Sequence, residues 1–196
     1  MTDEHLLIER AKQGDVQAFR ELVERSKRIV YRLAYDMTGN RHDAEDLSQD
    51  VFVKAYRSLP GFRGDAKWNT WLHRITVNTC LDHRKSSAPQ SMEFNDDTEH
   101  NTPGDMLQHR HETILPDRAA QSTMIQQHIQ QALDCLTPRQ RSVFVLRHYH
   151  DLPMKQIAET LEVAEGTVKT LLFRAVQRLR EELSFYKKDL GMEKQP

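Results

Sequence analysis

The stretch Met154–Phe173 reads MKQIAETLEVAEGTVKTLLF, and its spacing predicts a helix-turn-helix. Such a unit needs a small residue in the first helix where the second crosses it closely, and Ala158 fills that place. Apolar residues must weld the two helices, and Ile157, Leu161, Val163, Val168 and Leu172 supply them. The second helix must then present polar and basic groups at its N-terminal outer face, where base edges lie in the major groove. With Val168 as zero and about 100° per residue, Leu172, Ala175, Leu179 and Leu183 cluster on one side. Lys169, Thr170, Phe173, Arg174, Gln177 and Arg180 fall on the other. That face can donate to base edges and phosphates, with Phe173 open to apolar contact such as a thymine methyl. A plain surface helix with a solvated lysine and arginine side fits the wheel equally well. The Thr167-Val168-Lys169 start, read as capped, and the short helix before it favour DNA. Glu162 stands at the turn, where a left-handed backbone is often needed and a non-glycine residue costs ~1–2 kcal/mol.

Outward from this motif the pattern stays helical. Thr137-Pro138 sets an N-cap before a proline at the first helical position, predicting a helix to about His148. A helix from about Ala119 to Cys135 carries Met124, Ile125, Ile129, Ala132 and Leu133, and the last helix runs from Glu165 to about Tyr186. In the first block, Asp15 caps a helix with apolar positions from Phe19 to Met37, stopped by Gly39-Asn40. A second helix spans about Asp43 to Leu59 and ends at Pro60-Gly61. A polar loop leads to a third, Trp68 to about Lys85, and a short helix from His5 to Gln13 opens the chain.

Residues 86–118 break the periodicity with Ser86-Ser87-Ala88-Pro89, Asp96-Asp97, Pro103-Gly104 and Pro116. Such a polar, acidic stretch cannot bury enough surface to fold alone. The expected fold is all-α, with two small helical domains, 1–88 and 119–196, joined by a flexible acidic linker, 89–118.

The 196 residues are 38% hydrophobic and 29% charged, with mean hydropathy −0.73, and no apolar run reaches the ~18–20 residues of a spanning helix, so a membrane protein is not expected. No basic-then-apolar leader opens the chain at Met1-Thr2-Asp3-Glu4-His5. Two cysteines, Cys80 and Cys135, are too few and too far apart for a disulfide framework, so a reducing cytoplasm is expected. The net charge of −1 conceals an asymmetry: residues 1–88 carry net +2, residues 89–118 net −5 and residues 119–196 net +2. Two mildly basic blocks flank an acidic middle, and this asymmetry is a better guide to partners than the total.

His109-x-His111 and His148-x-His150 have i, i+2 spacing, which points the rings apart on a helix. No cysteine pair completes a four-ligand zinc site, so these are read as surface histidines and no metal is expected. There is no Gly-rich phosphate loop, no G-x-S-x-G and no H-E-x-x-H. No catalytic residue and no cofactor are expected.

The order DAEDLSQDVFVKAYRSL (Asp43–Leu59), FRGDAKWNTWLHRITVNTCLDHRK (Phe62–Lys85), a linker, then LTPRQRSVFVLRHYHDLPMKQIAETLEVAEGTVKTLLFRA (Leu136–Ala175) resembles a sigma-70 family factor. It is most similar to the extracytoplasmic-function (ECF) group, which keeps only regions 2 and 4. The resemblance covers nearly everything outside the linker and the tails. It implies a chain that joins core RNA polymerase and directs it to promoter DNA. Region 2 would bind the clamp helices of the largest catalytic subunit and read and melt the −10 element. Region 4 would bind the −35 element and the flap of the second-largest subunit.

The resemblance places core binding on Asp46, Gln49, Asp50 and Val53, on the helix face opposite the core. Acidic and amide groups there repel phosphate and suit a basic protein partner; a solvated polar stripe is the plain alternative. It places −10 contacts on Phe62, Arg63, Lys67, Trp68, Asn69, Arg74 and Asn78. Opening a duplex needs stacking rings and amide edges to trap bases. Of the two tryptophans, Trp71 is read as core and Trp68, between Lys67 and Asn69, as the rim or strand contact. Arg84 and Lys85, with a strip of Lys27, Arg28 and Arg32, are placed to hold phosphates. The −35 contacts fall on Thr167, Lys169, Thr170, Phe173 and Arg174.

The family's linker threads polymerase channels that otherwise carry nucleic acid, which suits the acidic middle; a solubilising tether explains it equally. Leu171 and Val176 stand where the family usually has basic residues, and fewer phosphate contacts flatten the salt dependence. An anti-sigma partner is expected from many relatives. Set against the sigma reading are a stand-alone helix-turn-helix regulator, which would bind duplex DNA without polymerase, and a histidine-based enzyme.

Overall fold

The computed structural model describes residues 3–87 and 128–184. Its regular elements are helices: α1 Asp3–Lys12, α2 Val16–Thr38, α3 Arg41–Ser58 with a 3-10 turn at Leu59–Gly61, and α4 Trp68–Ser87. Residues 128–134 form α5; α6 Pro138–His148, α7 Met154–Leu161 and α8 Glu165–Glu182 follow. The all-α expectation holds. The linker expected at 89–118, with His109 and His111, and the stretch from 119 to 127 lie outside the described residues.

Helix boundaries follow local chemistry. Asp15 Oδ1 accepts from the Gln17 and Ala18 amides at 2.9 and 3.1 Å, satisfying donors that the first turn leaves open. Gly39 ends α2 in the left-handed region at φ +72. Asn40 then caps α3 through the His42 amide at 2.8 Å. The helix therefore starts at Arg41, two residues before the expected Asp43, because Gly39-Asn40 is both stop and start. Thr137 and Gln140 form a reciprocal capping box at α6.

The first four helices enclose one apolar cluster, with Leu22, Val30, Val51, Ala55, Leu59 and Leu72 at its heart. A smaller cluster of Ala132, Leu133, Leu136, Ala175 and Leu179 joins α5 to α8. A third belongs to both units. Leu33, Ala34 and Met37 of α2, with Val77 and Cys80 of α4, meet Val143 and Leu146 of α6, Ile157 and Ala158 of α7 and Val168 of α8. The two units are thus docked against each other.

Polar links reinforce the docking. Arg141 is fully buried and pairs with Asp134. Its Nη2 donates to the Asp36 carbonyl at 3.3 Å and to Gln130 Oε1 at 3.2 Å. Gly39 allows this approach, since a Cβ there would stand 2.9 Å from Gln130 Oε1. His150, expected at the surface, instead lies at this junction with Nε2 3.0 Å from Asp36 Oδ2. Sequence spacing could not show it, because Asp36 is 114 positions away.

Beside it His73 is buried, its ring edge-on to His150 at 5.9 Å and its Nε2 without a hydrogen-bond partner. Burial, with the nearby His150, pushes the His73 pKa from 6.5 down to about 4. The folded chain therefore resists a proton that the unfolded chain takes up from about pH 6.5 downward. The stability that His73 contributes is whole above pH 6.5 and drains as pH falls toward 4. Between pH 7 and 4.5 this amounts to a loss on the order of 2–3 kcal/mol. Urea midpoints across that range should fall less steeply in His73→Gln than in the parent. Parallel curves would refute the assignment.

Candidate functional site

Three surfaces take shape. On α3 the residues Asp46, Gln49, Asp50 and Val53 follow i, i+3, i+4, i+7 spacing, and all four are exposed. Val53 keeps 47% of its surface open. Asp46 sits 3.9 Å from His42 Nε2. The stripe is an acidic and amide ridge with one apolar contact point.

Next to it an open groove runs between α3 and α4, lined by Lys54, Arg57, Trp71, Arg74, Asn78 and Asp82. Lys54 Nζ donates to Thr79 Oγ1 at 3.1 Å, which fixes one wall. Here the expectation for the two tryptophans reverses. Trp68 is only 2% exposed, and its Nε1 donates to the buried Ser26 hydroxyl at 2.9 Å. Trp71 is half-buried and lines the groove. Phe62 is buried too. Ring centroids of Phe62 and Trp68 lie 4.9 and 5.2 Å from Trp71, so the two inner rings back the outer one as a firm stacking surface. Trp68 and Phe62 therefore do not offer their own faces to a ligand.

Arg63, Lys67, Asn69, Arg74 and Asn78 are exposed. Arg63 and Lys67 sit on the loop, while Arg74 and Asn78 line the groove with Trp71. Lys54 and Arg57 were not among the residues expected. Their signal was the change along α3 from acids at 43, 45, 46 and 50 to cations at 54 and 57. Arg84 is drawn toward the second unit, where burial pushes its pKa down and leaves Nη1 without a partner. Lys27 pairs with Glu24 at 2.6 Å.

The third surface is α8. Ile157, Val163, Val168 and Leu172 do weld α7 to α8, as expected. Thr167, Lys169, Thr170, Phe173 and Arg174 all face solvent, Phe173 at 70% exposure. Lys169 Nζ rests 3.0 Å from Glu165 Oε1, and Thr170 Oγ1 donates to the Gly166 carbonyl. Thr167 is not a cap: the helix begins at Glu165 behind Ala164, which offers no side-chain cap. Glu162 takes the left-handed backbone that such a turn often needs, at φ 55 and ψ 42, although it is not glycine. Leu171 packs against the shared cluster, so its apolar character serves the core. Among the described residues no group of three or more His, Cys, Asp or Glu side chains is arranged to hold a metal ion.

The chain matches Sigma-70 region 2 over residues 22–89 and Sigma-70, region 4 over residues 126–179. It is 34% identical to the ECF RNA polymerase sigma factor SigW of Bacillus subtilis over 178 residues, covering 90% of this chain and 94% of that one. The chain belongs to the ECF group of the sigma-70 family. It is also 33% identical to the ECF RNA polymerase sigma-E factor of Escherichia coli, covering 89% and 91% of the two chains. As an ECF sigma factor it directs promoter-specific transcription initiation by RNA polymerase. Among solved structures, CnrH in complex with the cytosolic domain of CnrY superposes with a TM-score of 0.65 at 24% identity, covering 92% of this chain and 97% of that one. RpoE from Bartonella quintana, in complex with the anti-sigma factor NepR, gives 0.59 at 21% identity, covering 86% and 98%. These two establish the likeness of fold. In this sigma factor no helix among the described residues is long and apolar enough to cross a membrane.

Proposed function

We propose that the three surfaces divide the work of initiation. The α3 ridge of Asp46, Gln49, Asp50 and Val53 binds core polymerase. The groove with Trp71, Arg74 and Asn78, with Lys54 and Arg57 on its other wall, receives the −10 strand. The α8 face of Thr167, Lys169, Thr170, Phe173 and Arg174 reads the −35 duplex. The observation that carries this division is the groove: a backed aromatic ring, an amide and three cations suit stacked bases and their phosphates. An acidic ridge beside it repels nucleic acid and complements a basic protein surface.

The chain contributes binding and orientation, with no catalysis of its own, and acts in the cytoplasm where polymerase works. The first block, residues 1–88, carries the polymerase and −10 functions, and 119–196 carries the −35 function. CnrH was captured with the cytosolic domain of CnrY, and the Bartonella RpoE with the anti-sigma factor NepR. An anti-sigma factor is proposed for this chain as well.

The test is a titration of fluorescently labelled chain with purified bacterial core RNA polymerase, without DNA. Saturable binding is expected, and Asp46→Arg should weaken it at least tenfold with an unchanged helical circular dichroism spectrum. Lys169→Ala with Arg174→Ala should leave that titration intact while weakening duplex −35 recognition about tenfold or more, since removing one partner of a base or phosphate costs on the order of 1 kcal/mol. Binding to duplex DNA with none to polymerase would overturn the division of labour. Equal loss of both activities in the α8 double variant would overturn the assignment of that face.

A further inference from the structure

From the turn between α7 and α8, Glu162 reaches across to the first unit. Its Oε1 lies 2.8 Å from Arg74 Nη1. Arg74 is the arginine that α4 contributes to the strand groove, beside Trp71 and Asn78. A carboxylate at that distance makes the same charge-assisted contact that a phosphate oxygen would make. We propose that the docked second unit is an internal competitor for strand binding, with Glu162 occupying the phosphate position on Arg74 until the two units part. This rests on the reading of Arg74 as part of the strand groove.

Two independent features support the assignment. Glu162 holds a left-handed backbone that glycine adopts without strain. A turn that only had to join α7 to α8 is better served by glycine, so what glutamate adds is its carboxylate. The ion pair is also held in register by packing beneath it. Ile157 and Ala158 of α7 share a buried cluster with Val77 of α4, so Glu162 is presented to Arg74 by a fixed helix end.

The competition is one-sided. In the same docked arrangement Lys169, Thr170, Phe173 and Arg174 face solvent, so the duplex-reading face stays open while the strand groove has its arginine engaged. Docking therefore restrains single-strand capture selectively.

The experiment uses the full chain and a fluorescein-labelled single-stranded DNA 12-mer of mixed sequence, since a phosphate contact does not depend on base identity. Affinities are measured by anisotropy at low salt for the parent, Glu162→Gln, Arg74→Ala and the double variant. Glu162→Gln keeps the size and removes the charge. It should bind roughly 1.5- to fivefold tighter, the range expected for releasing one exposed ion pair. That gain should vanish in the Arg74→Ala background. Unchanged binding in Glu162→Gln, including binding by neither chain, overturns the competition. An equal gain with and without Arg74 overturns it too, because the effect would then be general charge. Arg74→Ala binding as well as the parent would instead sink the reading of Arg74 as a strand contact.

Discussion

Trp68→Ala lowers the unfolding free energy by about 3–5 kcal/mol, while Trp71→Ala costs less than half of that and damages strand binding instead. The Trp68 ring is enclosed, touches Phe62 and Trp71, and donates its indole N–H to Ser26. Removing it opens a cavity and leaves a buried hydroxyl unpaired, two costs that add. Trp71 already shows part of its ring to the groove, so its loss uncovers Phe62 and Trp68 but opens no enclosed cavity. A base stacked on such a ring is worth about 1–3 kcal/mol, so Trp71→Ala should weaken single-strand binding roughly tenfold while lowering the urea midpoint much less than Trp68→Ala does. Paired urea melts and oligonucleotide titrations read both effects. The opposite ranking would restore Trp68 as the strand contact.

Arg141→Ala is expected to cost about 2–4 kcal/mol, somewhat below the roughly 3–5 kcal/mol of a fully buried pair, because the Asp134 carboxylate left behind is largely exposed. The guanidinium joins Asp134, Gln130 and the Asp36 carbonyl, and so ties α6 both to α5 and to the end of α2. Arg141→Lys should recover little, since one ammonium cannot reach three acceptors set in a fork. Thermal melts of both variants make the comparison. A lysine variant with parental stability would mean that charge alone, and not fork geometry, holds the junction.

Much of the fold is legible in the sequence. Helix starts at Asp15 and Thr137, the weld between α7 and α8, and the left-handed backbone at Glu162 are all local chemistry, written within a few residues. The exposed α8 face follows from helical period alone. What sequence conceals is contact across long separations. Trp68 looks like a rim residue between Lys67 and Asn69, yet its neighbour is Ser26, 42 positions earlier. Positions such as Leu33, Met37 and Val77 read correctly as buried, but the cluster they join draws half of its buried members from the other unit. Lys54 and Arg57 escape notice when α3 is read as one acidic ridge, because its charge changes sign along its length.

The cluster shared by both units has a thermodynamic consequence. Separating them exposes Val77, Val143, Leu146 and Ile157 to water, so the undocked form is a minor population in the free chain. Any ligand that requires it binds with an apparent affinity reduced in proportion to that population. A protein that grips the docked form and a polymerase that needs the undocked one would then exclude each other without ever sharing a surface.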